Sequence, residues 1–93
     1  MSSEELREKV KTMLLINGTY HDNMIDLYIA EVLDYARSAG VPAAVLNSEK
    51  IIGLAARGVS DLWNYGAGDG KLSEYFMQRC IQLKAAGAAE GAG

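Results

Sequence analysis

Phosphate chemistry is the first possibility the residues raise, because Gly66-Ala67-Gly68-Asp69-Gly70-Lys71-Leu72-Ser73 places three glycines ahead of a lysine and a serine. A phosphate-binding loop needs GxxxxGK followed directly by Ser or Thr, so that backbone N–H groups cradle the phosphates and the hydroxyl holds magnesium. With Gly70-Lys71 as its end, the first glycine would stand at 65, where there is Tyr65, and the hydroxyl at 72, where there is Leu72. No strand pattern precedes the segment, and Gly66, Gly68 and Gly70 lack the GxGxxG spacing of dinucleotide sites. His21 beside Asp22 suggests an acid-base pair, yet no second carboxylate or nucleophile is tied to it by spacing, and an exposed histidine at a helix start is the expectation. Asp26, Glu31 and Asp34 at helical spacing do not make a calcium loop and read as a solvated face. Cys80 stands alone, which rules out an internal disulfide and a cysteine-based zinc cluster and leaves a buried structural thiol. The expectation is a protein without catalytic residues, cofactor or metal.

Elements that would position these residues must fit in 93 residues, enough for one core that buries roughly 60–65% of the unfolded chain's surface. Apolar residues make up 49% and charged ones 23%, the balance of a globular domain rather than a disordered chain. No apolar run approaches the roughly 18 residues of a membrane span. The start, Ser2-Ser3-Glu4-Glu5-Leu6-Arg7-Glu8, reads as a helix N-terminus rather than a secretory signal, which implies folding in the cytoplasm. A net charge of -3 with no Lys/Arg cluster argues against dedicated DNA binding. Mild acidity would nevertheless suit a surface that DNA slides past.

Helical periodicity runs through the chain. Ser2 and Glu5 form a capping box for a first helix, where Leu6, Val10, Met13 and Leu14 make one apolar stripe that Asn17-Gly18 should end. Asp22 is placed to cap a second helix with Met24, Ile25, Tyr28, Ile29, Val32, Leu33 and Ala36 on one side and Asp26, Glu31, Asp34 and Arg37 largely on the other. Gly40 closes it, and Pro42 makes 41–47 a connector with at most one helical turn. Asn47 or Ser48 would cap a third long helix carrying Ile51, Ile52, Leu54, Ala55, Val59, Leu62 and Trp63. Gly53, Ala56, Gly58 and Ser60 thin its surface, either for close packing against another helix or as glycines with no special contact. Residues 66–70 read as a turn, Ser73 as the cap of a last helix, and Phe76, Met77, Cys80, Ile81 and Leu83 as its inward face. An Ala/Gly-rich tail follows. The fold expected is all-α: a compact bundle of about four helices over residues 1–83, with a flexible or partner-ordered tail over 84–93.

Trp63, Tyr65, Tyr75 and Phe76 gather aromatic bulk around the 66–70 segment, with Arg57 and Arg79 in the flanking helices. Satellite core packing would account for them. So would a subunit interface, where Trp, Tyr and Arg are enriched, and on that reading Arg57, Trp63, Tyr65, Tyr75 and Arg79 are the contact residues.

Residues 5–83 resemble the head-tail connector (adaptor, or DNA-packaging connector) family of tailed bacteriophages. Lys9-Val10-Lys11-Thr12-Met13-Leu14, Ala56-Arg57-Gly58-Val59-Ser60-Asp61-Leu62-Trp63 with Asn64, and Leu72-Ser73-Glu74-Tyr75-Phe76 followed by Gln78-Arg79 and Ile81-Gln82-Leu83 carry the likeness. The resemblance implies a non-enzymatic virion protein in the neck. There it would form a closed, dodecameric ring of its own copies beneath the portal protein, extend the DNA channel and dock the next neck, stopper or tail protein. Genomic DNA would pass through without specific binding, and no membrane would be involved. By position alone, Lys84, Ala85, Ala86, Gly87 and Glu90 would be the portal-contacting tail. Two rival readings are a small helical DNA-binding regulator offering Gln78, Arg79 and Gln82 from its last helix, and an enzyme subunit whose site forms only on oligomerisation.

Overall fold

The computed structural model describes the backbone at residues 1–69 and 74–92 and the side chains of residues 1–64, 74 and 76–85. Five helices follow one another: α1 (Ser3–Met13), α2 (Asp22–Ser38), α3 (Ala43–Leu46), α4 (Ile51–Asp69) and α5 (Glu74–Ala92). The fold is all-α, four longer helices with the single turn of α3 inside the expected connector. α4 is the hub, touched by α1, α2 and α5, while α3 bridges α2 and α5.

Helix ends show where local chemistry wins. The Ser2 hydroxyl oxygen accepts the Glu5 N–H at 3.1 Å, an N-cap that satisfies one of the orphan donors of α1. α1 stops before Asn17-Gly18, at Leu15, which takes a left-handed φ of 59°. Ile16 N–H reaches back to the Lys11 carbonyl at 2.9 Å and Leu15 N–H to Thr12 at 3.3 Å, a Schellman closure. α2 ends as expected: Gly40 has φ 98°, Val41 N–H bonds Ala36 and Gly40 N–H bonds Arg37, each at 3.0 Å. Ser48 rather than Asn47 opens the approach to α4, accepting Lys50 N–H on its hydroxyl at 3.3 Å.

Asp22 does not cap α2. His21 holds the N-cap position without a side-chain bond, because the Asp22 carboxylate is drawn to Lys11 and Arg7 instead. Met13 leaves the α1 stripe and is 56% exposed, while Leu14 packs on the core margin. Met24 also turns outward. α4 runs through 66–69 where a turn is expected: glycine costs a helix about 1 kcal/mol but keeps its N–H, so a helix already formed propagates across it. Gly70 and Ser73 lie outside the described residues. α5 continues beyond Leu83 to Ala92, as the alanines there favour.

The core joins Leu6 and Val10 of α1, Ile25, Ile29, Val32 and Ala36 of α2, Ile51, Leu54, Ala55, Val59 and Leu62 of α4, and Phe76, Cys80 and Leu83 of α5. Met77 and Ile81 face solvent, Ile81 at 67% exposure, which narrows the inward face of α5 to Phe76, Cys80 and Leu83. Gly58 lies on the buried side of α4, where a Cβ would stand 2.5 Å from Val32 Cγ2 and 3.0 Å from Phe76 Cε2. That glycine permits the close approach of α2. Gly53 on the outer side has nothing within 4 Å and serves no packing.

Candidate interaction groove

The inward residues of α4 recur at 51, 54, 55, 58, 59 and 62, so the opposite side of the helix carries Gly53, Arg57, Ser60 and Asn64. Small residues there leave a trough. α4 forms its floor with Gly53, Ala56, Arg57 and Ser60, Met13 and Leu14 from the end of α1 form one wall, and Arg79 of α5 stands on the other, enclosing about 450 Å³. An adjoining hollow of about 300 Å³ shares Leu14 and Ser60 and is completed by Ile16, Trp63 and Asn64. The two make one groove along the outer face of α4, apolar at the α1 wall and carrying a guanidinium on the floor and another on the far rim.

Charge in the groove is partly internal. Arg57 Nε lies 3.4 Å from Asp61 Oδ1, at i,i+4 on the helix. Asp61 is almost wholly buried, so that pairing keeps a carboxylate from being left uncompensated in the protein. Arg79 Nη1 donates to Gln82 Oε1 at 2.9 Å across one turn of α5, which leaves its planar head at the surface. Asn64 Nδ2 donates to Ser60 Oγ at 3.3 Å.

Trp63 sits at one end. Its indole meets the His21 ring edge-on with centroids 5.0 Å apart and Tyr28 at 6.3 Å, and His21 in turn meets Tyr20 at 4.8 Å. Phe76 belongs elsewhere: it is fully buried and tilts against Tyr35 at 5.6 Å. The expected aromatic group is therefore divided, with Trp63 stapling the start of α2 and Phe76 filling the core. The Tyr65 and Tyr75 side chains lie outside the described residues. Of the expected contact residues, Arg57, Trp63 and Arg79 come together along one groove.

Among the expected tail contacts, Lys84 folds back over the end of α2, so close to Gly40 that a Cβ there would meet its Cδ and Cε at 3.0 Å. Ala85 is exposed, Gly87 lies within α5, and the side chains of Ala86 and Glu90 lie outside the described residues.

His21 and Asp22 do not act as a pair, since the imidazole, half-buried rather than exposed, turns to Trp63 and the carboxylate to α1. Lys11, only 6% exposed, donates to Asp22 Oδ1 at 2.7 Å and to the Gly18 carbonyl, with Glu8 Oε2 at 3.6 Å. Arg7 Nη1 bonds Asp26 Oδ2 at 3.0 Å, and its Nε faces Glu8 and Asp22. Donating to the Asp22 carboxylate raises the Lys11 pKa, and donating to that of Asp26 raises the Arg7 pKa. This cluster clamps α1 to the start of α2. Spacing signals it only faintly, as Arg7 and Lys11 at i,i+4, each with an acid three residues before it on α1, Glu4 and Glu8, and nothing that points to α2. Cys80 is buried, and desolvation pushes its thiol pKa up. Among the described residues no group of three His, Cys, Asp or Glu is arranged to hold a metal.

No protein-family model, curated protein or solved structure matches this chain.

Proposed function

We propose that the protein is a head-tail connector of a tailed phage or phage-like particle, acting by assembly and not by catalysis. Copies would form a closed, dodecameric ring in the virion neck. The ring would sit beneath the portal, let DNA through without specific contacts and dock the next neck or tail component. The resemblance over residues 5–83 supports this reading, and one structural observation carries it furthest: Arg57, Trp63 and Arg79 share an open groove with an apolar wall. Such a groove is suited to burying another polypeptide, since aromatic and arginine anchors in desolvated pockets supply most interface energy. No described helix is long and apolar enough to cross a membrane, and a net charge of -3 suits passage of DNA better than its capture.

Electron microscopy of the protein mixed with portal-bearing particles tests the proposal. An added ring of density below the portal, with chain 84–93 directed toward it, is the expected outcome. A stable monomer that adds no density and ignores purified portal would overturn it.

A further inference from the structure

Helix α2 carries a second surface that the fold leaves partly open. Its inward residues are Ile25, Ile29, Val32 and Ala36. Along an outer flank of the helix Met24, Leu27, Glu31 and Tyr35 recur at three- and four-residue steps, Leu27 70% exposed, Met24 and Tyr35 each 37% and 37%, with the Tyr35 ring leaning on Phe76. Scattered apolar residues on a surface need no explanation, but these share one stripe and make a ridge. Its charge is acidic: Glu31 and Asp34 against a single base, Arg37, 3.6 Å from Asp34. The α4 groove has the reverse sign, Arg57 and Arg79 against Asp61.

No residue of α2 lines the groove. α2 and α4 meet through their inward faces at Val32 and Gly58, on another side of α4 from Gly53, Arg57 and Ser60. The two surfaces are therefore separate, and the ridge does not fill the groove of its own chain.

We infer that the α2 ridge of one copy seats in the α4 groove of the next. The inference rests on the assembly reading above and names the two surfaces that would carry it. A helix presenting residues at three- and four-residue steps is the shape that an apolar groove receives. Leu27 supplies the apolar knob and Glu31 faces Arg79 at the rim. Because the two surfaces differ, the contact is heterologous: every copy keeps one free ridge and one free groove, so the chain of contacts propagates and closes into a ring when the rotation per copy permits.

Thiol cross-linking tests the pairing on a Cys80→Ala background, using Leu27→Cys protein and Ser60→Cys protein with a short bis-maleimide. A covalent dimer should form when the two are mixed and not with either alone, and a chain carrying both cysteines should give a ladder. Glu31→Arg in the ridge partner or Arg79→Glu in the groove partner should each lower the yield about tenfold, and the two together should restore it. That restoration separates charge pairing from a folding defect. Dimers from either single-cysteine protein alone, no mixed product, or no restoration would overturn the inference. Cross-linking without added density on portal-bearing particles would remove the connector and leave this interface. Added density from a chain whose cysteines fail to link would do the reverse.

Discussion

Two glycines five residues apart on α4 carry opposite expectations for one substitution. Gly53→Ala adds a methyl group with nothing within 4 Å, so helix propensity alone acts and stability rises by about 0.8–1 kcal/mol. Gly58→Ala puts Cβ 2.5 Å and 2.8 Å from the two γ carbons of Val32 and 3.0 Å from Phe76 Cε2. Neither neighbour has room to swing away, because both are fully buried, and α2 would have to retreat by about 1 Å to restore ordinary carbon contact. Overpacking of that kind costs about 1–3 kcal/mol. The same propensity gain offsets part of it, leaving Gly58→Ala destabilised by up to about 2 kcal/mol.

Urea unfolding followed by far-ultraviolet circular dichroism would read the difference, about 1–3 kcal/mol between the variants, as a shift in midpoint at constant slope. In thermal unfolding a domain of this size moves about 4–8 °C per kcal/mol. Val32→Ala removes both crowded γ carbons, so it should cost less in the Gly58→Ala background than in the wild type, with a coupling of about 0.5–3 kcal/mol. Equal stabilisation by Gly53→Ala and Gly58→Ala would refute the close approach of α2 and α4.

Leu15→Gly should stabilise the fold by about 0.5 kcal/mol in the same urea assay, because relief of a left-handed non-glycine backbone outweighs the entropy of the new glycine; Leu15 is 86% exposed and loses little packing. The raised pKa of Lys11 means that the folded state favours its ammonium form, so the contribution is complete below the usual 10.5 and fades as pH climbs through the raised value. Lys11→Met should therefore trail the wild type by a constant margin at neutral pH and converge with it under strong alkali, and parallel curves across the lysine range would count against the clamp. Cys80 should react with iodoacetamide at least about 100-fold more slowly in native protein than in urea, since burial both shields the thiol and raises its pKa; equal rates would place it at the surface.

Legibility in the sequence followed the range of the interaction. The Ser2 cap, the Gly40 stop and the Pro42 connector depend on neighbours within a turn, and local chemistry alone decides them. Asp22 looks like a cap by the same local rule, but Lys11 and Arg7 arrive from another helix and outbid the backbone N–H groups, a competition invisible in spacing. α5 misled for a different reason. Phe76-Met77 and Cys80-Ile81 are adjacent apolar pairs, either member of which satisfies helical spacing; only docking against Gly58 and Tyr35 selects Phe76 and Cys80. Of the groove, the arginines and Trp63 were legible as residue types suited to contacts, whereas its walls, Met13 and Leu14, read as core because the early left-handed turn at Leu15 has no glycine to announce it.

The two glycines also separate the jobs of α4. Gly58 sets how near α2 can come, and thereby part of the distance from the α2 ridge to the α4 groove. In the head-to-tail arrangement inferred above, that distance is part of the step from one copy to the next, so the path of the array depends on a buried contact as much as on the interface. A closed ring tolerates little error in such a step, because the same displacement recurs in every copy and accumulates around the circle. Dense core packing holds the step steady, since interiors resist deformation far more than surface contacts do. Gly53 acts on the other face by omission: a side chain there would enter the trough that the next copy must fill. One helix would thus govern the spacing of the assembly from its buried side and the fit of the partner from its open side.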